Sequence, residues 1–192
     1  MICDITAVIL AGGKNSRIKK EKSLIKINGY PLIDKQVELL RKLFEFIIIS
    51  TDKVSIRNRF LKFQSVEDEF KNCGPLAGIH AAMKHCSTDA VFVFACDMPL
   101  LDAELILKQV DFYRQTQVDI VVPEHEDGIE PLHAIYSIKN LPYLEMCIKS
   151  KKYSVRSFYR NLYTEYFWLE KKYIKNFFNI NTPSDLNQIE TK

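Results

Sequence analysis

The stretch ITAVILAGGKNSRIKKEKSLIKI, Ile5 to Ile27, decides the fold. It opens on Ile5-Thr6-Ala7-Val8-Ile9-Leu10-Ala11, almost wholly apolar, and is stopped by Gly12-Gly13. A short apolar run bounded by glycine predicts a strand buried on both faces, as in a parallel sheet. The loop behind it carries Lys14, Arg17, Lys19, Lys20 and Lys22 against one acid, Glu21. Glycine lets backbone N–H groups approach a ligand closely, because no Cβ stands between them. Such a loop suits an anion, a polyphosphate above all. It equally suits a turn followed by a solvated basic face, and charge and glycine alone leave both open. Neither G-x-x-x-x-G-K-[ST] nor G-x-G-x-x-G is present, so a nucleotide would be held in another way.

Outward from that stretch the chain alternates. Pro31 suits a first helical turn, and Leu32, Ile33, Gln36, Val37, Leu39, Leu40 and Leu43 form a stripe at helical spacing. Phe46–Ile49 reads as a strand, Val54–Leu61 as a polar helix, and Gln64–Val66 as a strand running into Glu67, Asp68 and Glu69. Gly74-Pro75-Leu76-Ala77-Gly78 opens a helix over Leu76–His85. Ala90–Ala95 is apolar throughout and delivers Cys96-Asp97-Met98-Pro99. Asp102 can cap a helix over Ala103–Tyr113, and Val118–Val122 is a strand stopped by Pro123. This alternation predicts an α/β fold on a mostly parallel sheet. Ligands in such sheets sit beyond the carboxyl ends of the strands, so Gly12-Gly13, Ser50–Asp52, Asp68 and Asp97 are expected on one rim.

From Glu124 the pattern changes. Glu130–Tyr136 reads as a strand, Lys139–Lys149 and Ser154–Asn161 as helices, and Tyr163–Leu169 as an edge or antiparallel strand. Thr182 and Asp185 form a capping box around Pro183, predicting a helix over Pro183–Ile189. The expectation is one domain over 1–192, with 1–123 as a nucleotide-binding half and 124–192 as an elaboration of it.

Composition bounds the possibilities. A chain of 192 residues, 47% hydrophobic and 27% charged, is an ordinary soluble globular domain. A net charge of +3 is too small to argue for nucleic acid. The five cysteines, Cys3, Cys73, Cys86, Cys96 and Cys147, are widely spaced without C-x-x-C, which points away from disulfides and zinc and towards a cytoplasmic setting. Ile5–Ala11 is too short for a signal peptide, and no apolar run approaches a membrane span.

Asp97 is the foremost candidate for catalysis. A carboxylate after six apolar residues is badly placed for a random surface acid, and a hard oxygen there suits Mg²⁺. A turn-forming Asp before Pro99 is the competing reading. Asp68 could accept from the N1–H and N2–H₂ donors of guanine, contact a ribose, or be solvated. Arg17 and Lys22 could neutralise a triphosphate. His80, His85, His125 and His133 show no metal-binding spacing, no G-x-S-x-G is present, and Cys96 reads as packed rather than reactive.

Together these residues resemble a known family. Leu10-Ala11-Gly12-Gly13-x-x-Ser16-Arg17 with Lys22 is similar to the N-terminal signature of nucleotidyltransferases with a GT-A-like, Rossmann-related three-layer fold. Gly74–Gly78, Cys96–Pro99, Glu130-Pro131-Leu132-His133-Ala134 and Asn179-Ile180-Asn181-Thr182-Pro183 follow in the order of molybdenum cofactor guanylyltransferases of the MobA type. The resemblance spans nearly the whole chain. It implies transfer of GMP from GTP to molybdenum-bound molybdopterin, with release of pyrophosphate. It implies that Leu10, Ala11, Gly12 and Gly13 hold the nucleotide through backbone groups, that Lys22 contacts the triphosphate, and that Asp68 contacts the nucleotide. It implies Asp97 as a Mg²⁺ ligand and Asn179 and Asn181 on the molybdopterin side. Molybdoenzyme apoproteins or cofactor-delivery proteins are further partners it allows. The family's usual Arg-Met-Gly and Asp-Lys steps read here as Arg17-Ile18-Lys19-Lys20-Glu21-Lys22. A cytidylyltransferase of the same cofactor, a sugar-phosphate nucleotidyltransferase and a non-catalytic cofactor carrier are the rival readings. Gly12-Gly13 and Met98 favour the guanine form over the first.

Overall fold

The computed structural model describes residues 1–12, 25–27, 29–182 and 185–186. The opening apolar run forms β1 (Ile5–Leu10). Then come β2 (Lys26–Ile27), β3 (Tyr30–Pro31), α1 (Leu32–Leu43), β4 (Ile47–Ser50), α2 (Val54–Arg59), β5 (Gln64–Val66), α3 (Pro75–His85), β6 (Ala90–Ala95) and α4 (Ala103–Thr116). The remainder supplies β7 (Ile120–His125), β8 (Gly128–Ile129), β9 (His133–Ser137), α5 (Leu141–Lys149), α6 (Val155–Tyr159) and β10 (Thr164–Trp168). A 3₁₀ turn, Ile138–Asn140, precedes α5, and a longer one, Lys171–Phe177, follows β10.

The main sheet has the order β10-β7-β9-β6-β1-β4-β5, with β8 paired to β7. β1 lies at its heart, parallel to β4 and β6. β9 is antiparallel to both β6 and β7, so β7 again runs with the parallel set. Alternation along β1 divides the core between two faces. Ala7 and Ile9 pack with Ile33, Val37 and Leu40 of α1, Ile56 of α2, and Ile106 and Val110 of α4. Val8 packs on the other side with Leu76 to Met83 of α3, Leu144 and Ile148 of α5, and Phe158 of α6. The result is a mostly parallel sheet between two helical layers. Phe44 sits edge-on to Phe92 and Phe94, with both centroid separations 6.2 Å, and burying such a ring contributes about 1.5–3 kcal/mol.

Three local expectations change. Pro123 does not stop its strand; it sits inside β7, opposite Phe167 of β10. Its carbonyl accepts from Glu130 N at 2.9 Å, so its missing N–H falls on the flank where pairing with β9 has already ended. β10 is an edge strand, but it runs parallel to β7 rather than antiparallel. Pro31 is the residue before α1 and pairs with Lys26 in a small hairpin that turns at Gly29, φ +82°. The proposed helix over 183–189 lies largely outside the described residues. Its cap is visible, since Asp185 Oδ2 accepts from Asn181 N and Thr182 N, each at 2.7 Å.

Candidate active site

The expected rim is real. Beyond the carboxyl ends of β1, β4, β5 and β6 lies a cleft of about 610 Å³. Gly12, Asp52, Asp68 and Asp97 all line it, with Leu10 and Ala11 on its wall. A smaller cavity of about 270 Å³, lined by residues such as Thr6, Ile47 and Gln64, sits at the opposite, amino ends of the strands. That is the end where ligands of open α/β sheets do not bind.

The cleft floor is fixed by backbone bonds. Ala11 N donates to Ser50 O at 2.9 Å, and Cys96 N donates to Leu10 O at 3.2 Å. Thr51 is fully buried, and its hydroxyl donates to Ala11 O at 3.3 Å. The amide of Ala11 is thus already engaged, and the Thr51 side chain is an internal tie rather than a ligand contact. Asp52 beside it is exposed. A Cβ on Gly12 would meet only Ser50 O at 3.9 Å and Thr51 Cα at 4.0 Å, an ordinary contact. Among the described residues, no neighbour demands glycine at this position.

Asp68 is sorted from its neighbours by what each touches. Glu67 pairs with Arg57, and Glu69 pairs with Lys84 at 2.7 Å, both at the surface, where such pairs contribute about 0–1 kcal/mol. Asp68 turns inward and accepts from Ser50 Oγ at 3.4 Å. Burial raises its pKa above the ordinary 3.8; the Ser50 hydrogen bond and the Lys71 charge oppose this, while Asp52 adds to it. The folded chain therefore holds this proton more tightly than the unfolded chain. Asp68 favours folding below pH 3.8, and that contribution is lost as pH rises through the raised value. Asp68→Asn should flatten the pH dependence of the urea midpoint across this window and stabilise the protein at neutral pH. An unchanged slope would show that other groups carry it.

Gly78, on α3, makes this arrangement possible. A Cβ there would lie 2.7 Å from Ser50 Oγ, 3.0 Å from Leu10 Cδ2 and 3.5 Å from Asp68 Oδ1. Alanine is favoured over glycine inside a helix by about 1 kcal/mol, but overpacking costs about 1–3 kcal/mol. Gly78→Ala should therefore lower the urea midpoint, because its Cβ displaces Ser50 from Asp68. A more stable variant would show that Ser50 and Leu10 yield freely. Gly74, which precedes α3, has φ +66° and ψ −156°, a conformation essentially reserved for glycine.

Asp97 follows β6 on a turn that is held from several directions. Met98 N donates to Ala95 O at 3.3 Å. Gln36 Nε2 donates to Ala95 O at 2.9 Å and to Met98 O at 2.8 Å. Ile180 N donates to Asp97 O at 2.9 Å, and its side chain is buried with Ile25, Ile27 and Leu32. The Asn179–Asn181 segment thus docks on the Asp97 backbone. The Asn179 side chain donates to Phe177 O at 3.2 Å, and neither asparagine lines the cleft. Gly13, Arg17 and Lys22 lie outside the described residues. Sequence reading missed Lys53, Lys71 and Asn72, which line the cleft. The only available signal for them was their place in loops after β4 and β5.

His80 and His133 behave as core residues. His133 donates from Nε2 to Gln109 Oε1 at 3.0 Å and is pushed down to about 3 by burial, so it is neutral at physiological pH. His80 is buried with its ring edge-on to Phe70 at 4.9 Å. All five cysteines are free thiols, and Cys96 is buried. Among the described residues no group of three or more His, Cys, Asp or Glu side chains could hold a metal, and no helix is long and apolar enough to cross a membrane.

Comparison with known proteins decides the family. Residues 7–166 match the MobA-like NTP transferase domain. The chain belongs to the MobA-like NTP transferase family. A probable molybdenum cofactor guanylyltransferase of Thermococcus sibiricus is 36% identical over 190 residues, covering 95% of this chain and 96% of its own. One of Natranaerobius thermophilus is 31% identical over 201 residues, covering 98% and 96%. The crystal structure of molybdopterin-guanine dinucleotide biosynthesis protein A from Archaeoglobus fulgidus superposes with a TM-score of 0.84 at 27% identity, covering 97% of both chains. A 4-diphosphocytidyl-2C-methyl-D-erythritol synthase from Anaerococcus prevotii, 15% identical with a TM-score of 0.75 and covering 97% and 94%, shares the fold alone.

Proposed function

We propose that this chain transfers GMP from GTP to the terminal phosphate of molybdenum-bound molybdopterin, giving the guanine dinucleotide and pyrophosphate. One observation carries the reading. Gly12, Asp68 and Asp97 converge from three separate strand ends on one cleft, in a MobA-like chain. The guanylyltransferase names of its relatives supply the substrates.

The acceptor phosphate oxygen attacks the α-phosphorus in line. A new P–O bond forms as the α–β P–O bond breaks, and pyrophosphate leaves with the electron pair. The protein's work is positioning and neutralising charge. Leu10, Ala11 and Gly12 form the wall along which the nucleotide lies, and Gly13 holds it through its backbone. Asp68 accepts hydrogen bonds from the guanine edge or the ribose. Arg17 and Lys22 neutralise the triphosphate. The half-buried Asp97 carboxylate, on the cleft wall, fits Mg²⁺, which takes one or two protein carboxylates and leaves its other positions to phosphate and water. When bound, Mg²⁺ supplies neutralisation of the departing pyrophosphate. Asn179 and Asn181 belong to the molybdopterin side, residues 1–123 to the nucleotide side and 124–192 to the acceptor side. The setting is the cytoplasm, with molybdoenzyme apoproteins or delivery proteins receiving the product.

The test is incubation with Mg²⁺, molybdopterin and each nucleoside triphosphate in turn, following pyrophosphate release. Release with GTP alone supports the reading. Release with CTP alone replaces it with cytidylyl transfer, and no release with any triphosphate replaces it with a non-catalytic carrier.

A further inference from the structure

α1 buries Leu32, Ile33, Gln36, Val37 and Leu40, and Gln36 is the one polar member of that face. The residue is 2% exposed, and its Oε1 has no partner among the described residues. An amide placed so costs stability unless its donors are well used. They are: both Nε2 protons go to main-chain carbonyls, Ala95 O at 2.9 Å and Met98 O at 2.8 Å. The two acceptors bracket Cys96-Asp97. They also fix which end of the amide is nitrogen, since a flipped Oε1 would face two carbonyl oxygens. With Ile180 N on Asp97 O, three carbonyls of the turn are held by donors far away in the sequence.

We propose that Gln36 is a positioning residue for the Asp97 carboxylate. It reaches across from α1 and clamps the turn on both sides of Asp97, setting the direction in which the carboxylate enters the cleft. The inference rests on the reading of Asp97 as a Mg²⁺ ligand. It adds a residue outside every motif that pointed to the family. Gln36 itself does not line the cleft, so it acts through the turn.

Gln36→Met keeps the volume and removes both donors. Gln36→Asn keeps the polarity but shortens the arm by one methylene, and it serves if the Met variant does not fold. Three measurements apply. Hydrogen exchange over residues 95–99 should accelerate at least tenfold. The Mn²⁺ half-saturation concentration, followed by electron paramagnetic resonance with a non-hydrolysable GTP analogue, should rise about tenfold, as for partners that orient a metal ligand. In turnover, kcat should fall by a similar factor of about ten, while KM for GTP moves by less than about twofold. Val37→Ala, on the same buried helix face and without a hydrogen-bonding side chain, is the control at matched thermal stability.

Unchanged exchange, or faster exchange with unchanged Mn²⁺ binding, overturns the proposal. So does a Val37→Ala variant that reproduces both effects, because loosening of the helix would then suffice. Wild-type protein that releases no pyrophosphate from GTP sinks the transfer reading instead, and the exchange and Mn²⁺ comparisons still judge Gln36.

Discussion

Asp97→Ala lowers GTP-dependent pyrophosphate release by about a thousandfold or more, roughly 4 kcal/mol of barrier. The fold should survive, because the turn is fastened through main-chain groups. Ile180 N holds the Asp97 carbonyl, and Gln36 holds those of Ala95 and Met98. Truncating the side chain leaves all of these in place. The loss should therefore appear in kcat, with the melting temperature close to wild type. Raising Mg²⁺ should recover little, since the carboxylate that would orient the ion is gone. Steady-state release measured across a Mg²⁺ series checks this. Activity within threefold of wild type would end the metal assignment and leave Asp97 as a turn former.

Lys22→Ala should lower kcat/KM for GTP by about a hundredfold, the usual scale for removing one charged group aimed at a developing anion. Triphosphate is the most charged part of the substrate, and pyrophosphate gains charge as it leaves. A lysine committed to it changes both binding and rate. Lys14, Lys19 and Lys20 provide the contrast. If they are only solvated charge, replacing any one by alanine should change kcat/KM by less than about threefold, and that small effect should fade with salt. Equal losses at all four positions would describe a diffuse basic field with no committed residue. Unchanged turnover and GTP binding in Lys22→Ala would remove it from the site.

Much of the fold was legible because burial writes itself into strands. β1, β4 and β6 are apolar at nearly every position, and each became a central strand of the parallel set. The rim followed from topology, since parallel strands place their carboxyl ends together. Pro123 and the direction of β10 were not legible. A proline is tolerated in a strand when its missing N–H falls at a break in the ladder, here between the pairings with β9 and β8, and sequence does not show where that break lies. The acidic run 67–69 looked uniform until Arg57 and Lys84 took its outer members. Gln36 was read as one more position in an apolar stripe. Nothing local marks it, because its partners lie at residues 95 and 98.

Ile180 joins parts of the chain that are far apart in sequence. Its side chain is buried with Ile25 and Ile27 from the start of the chain, and its amide closes on Asp97 in the middle. A ribosome makes the β1 strand, the Asp97 turn and the rest of the nucleotide side long before it reaches residue 180. Until that residue emerges, the turn lacks its bond to Ile180. The nascent chain can assemble the scaffold of its cleft, but the setting of Asp97 waits until residue 180 has been made.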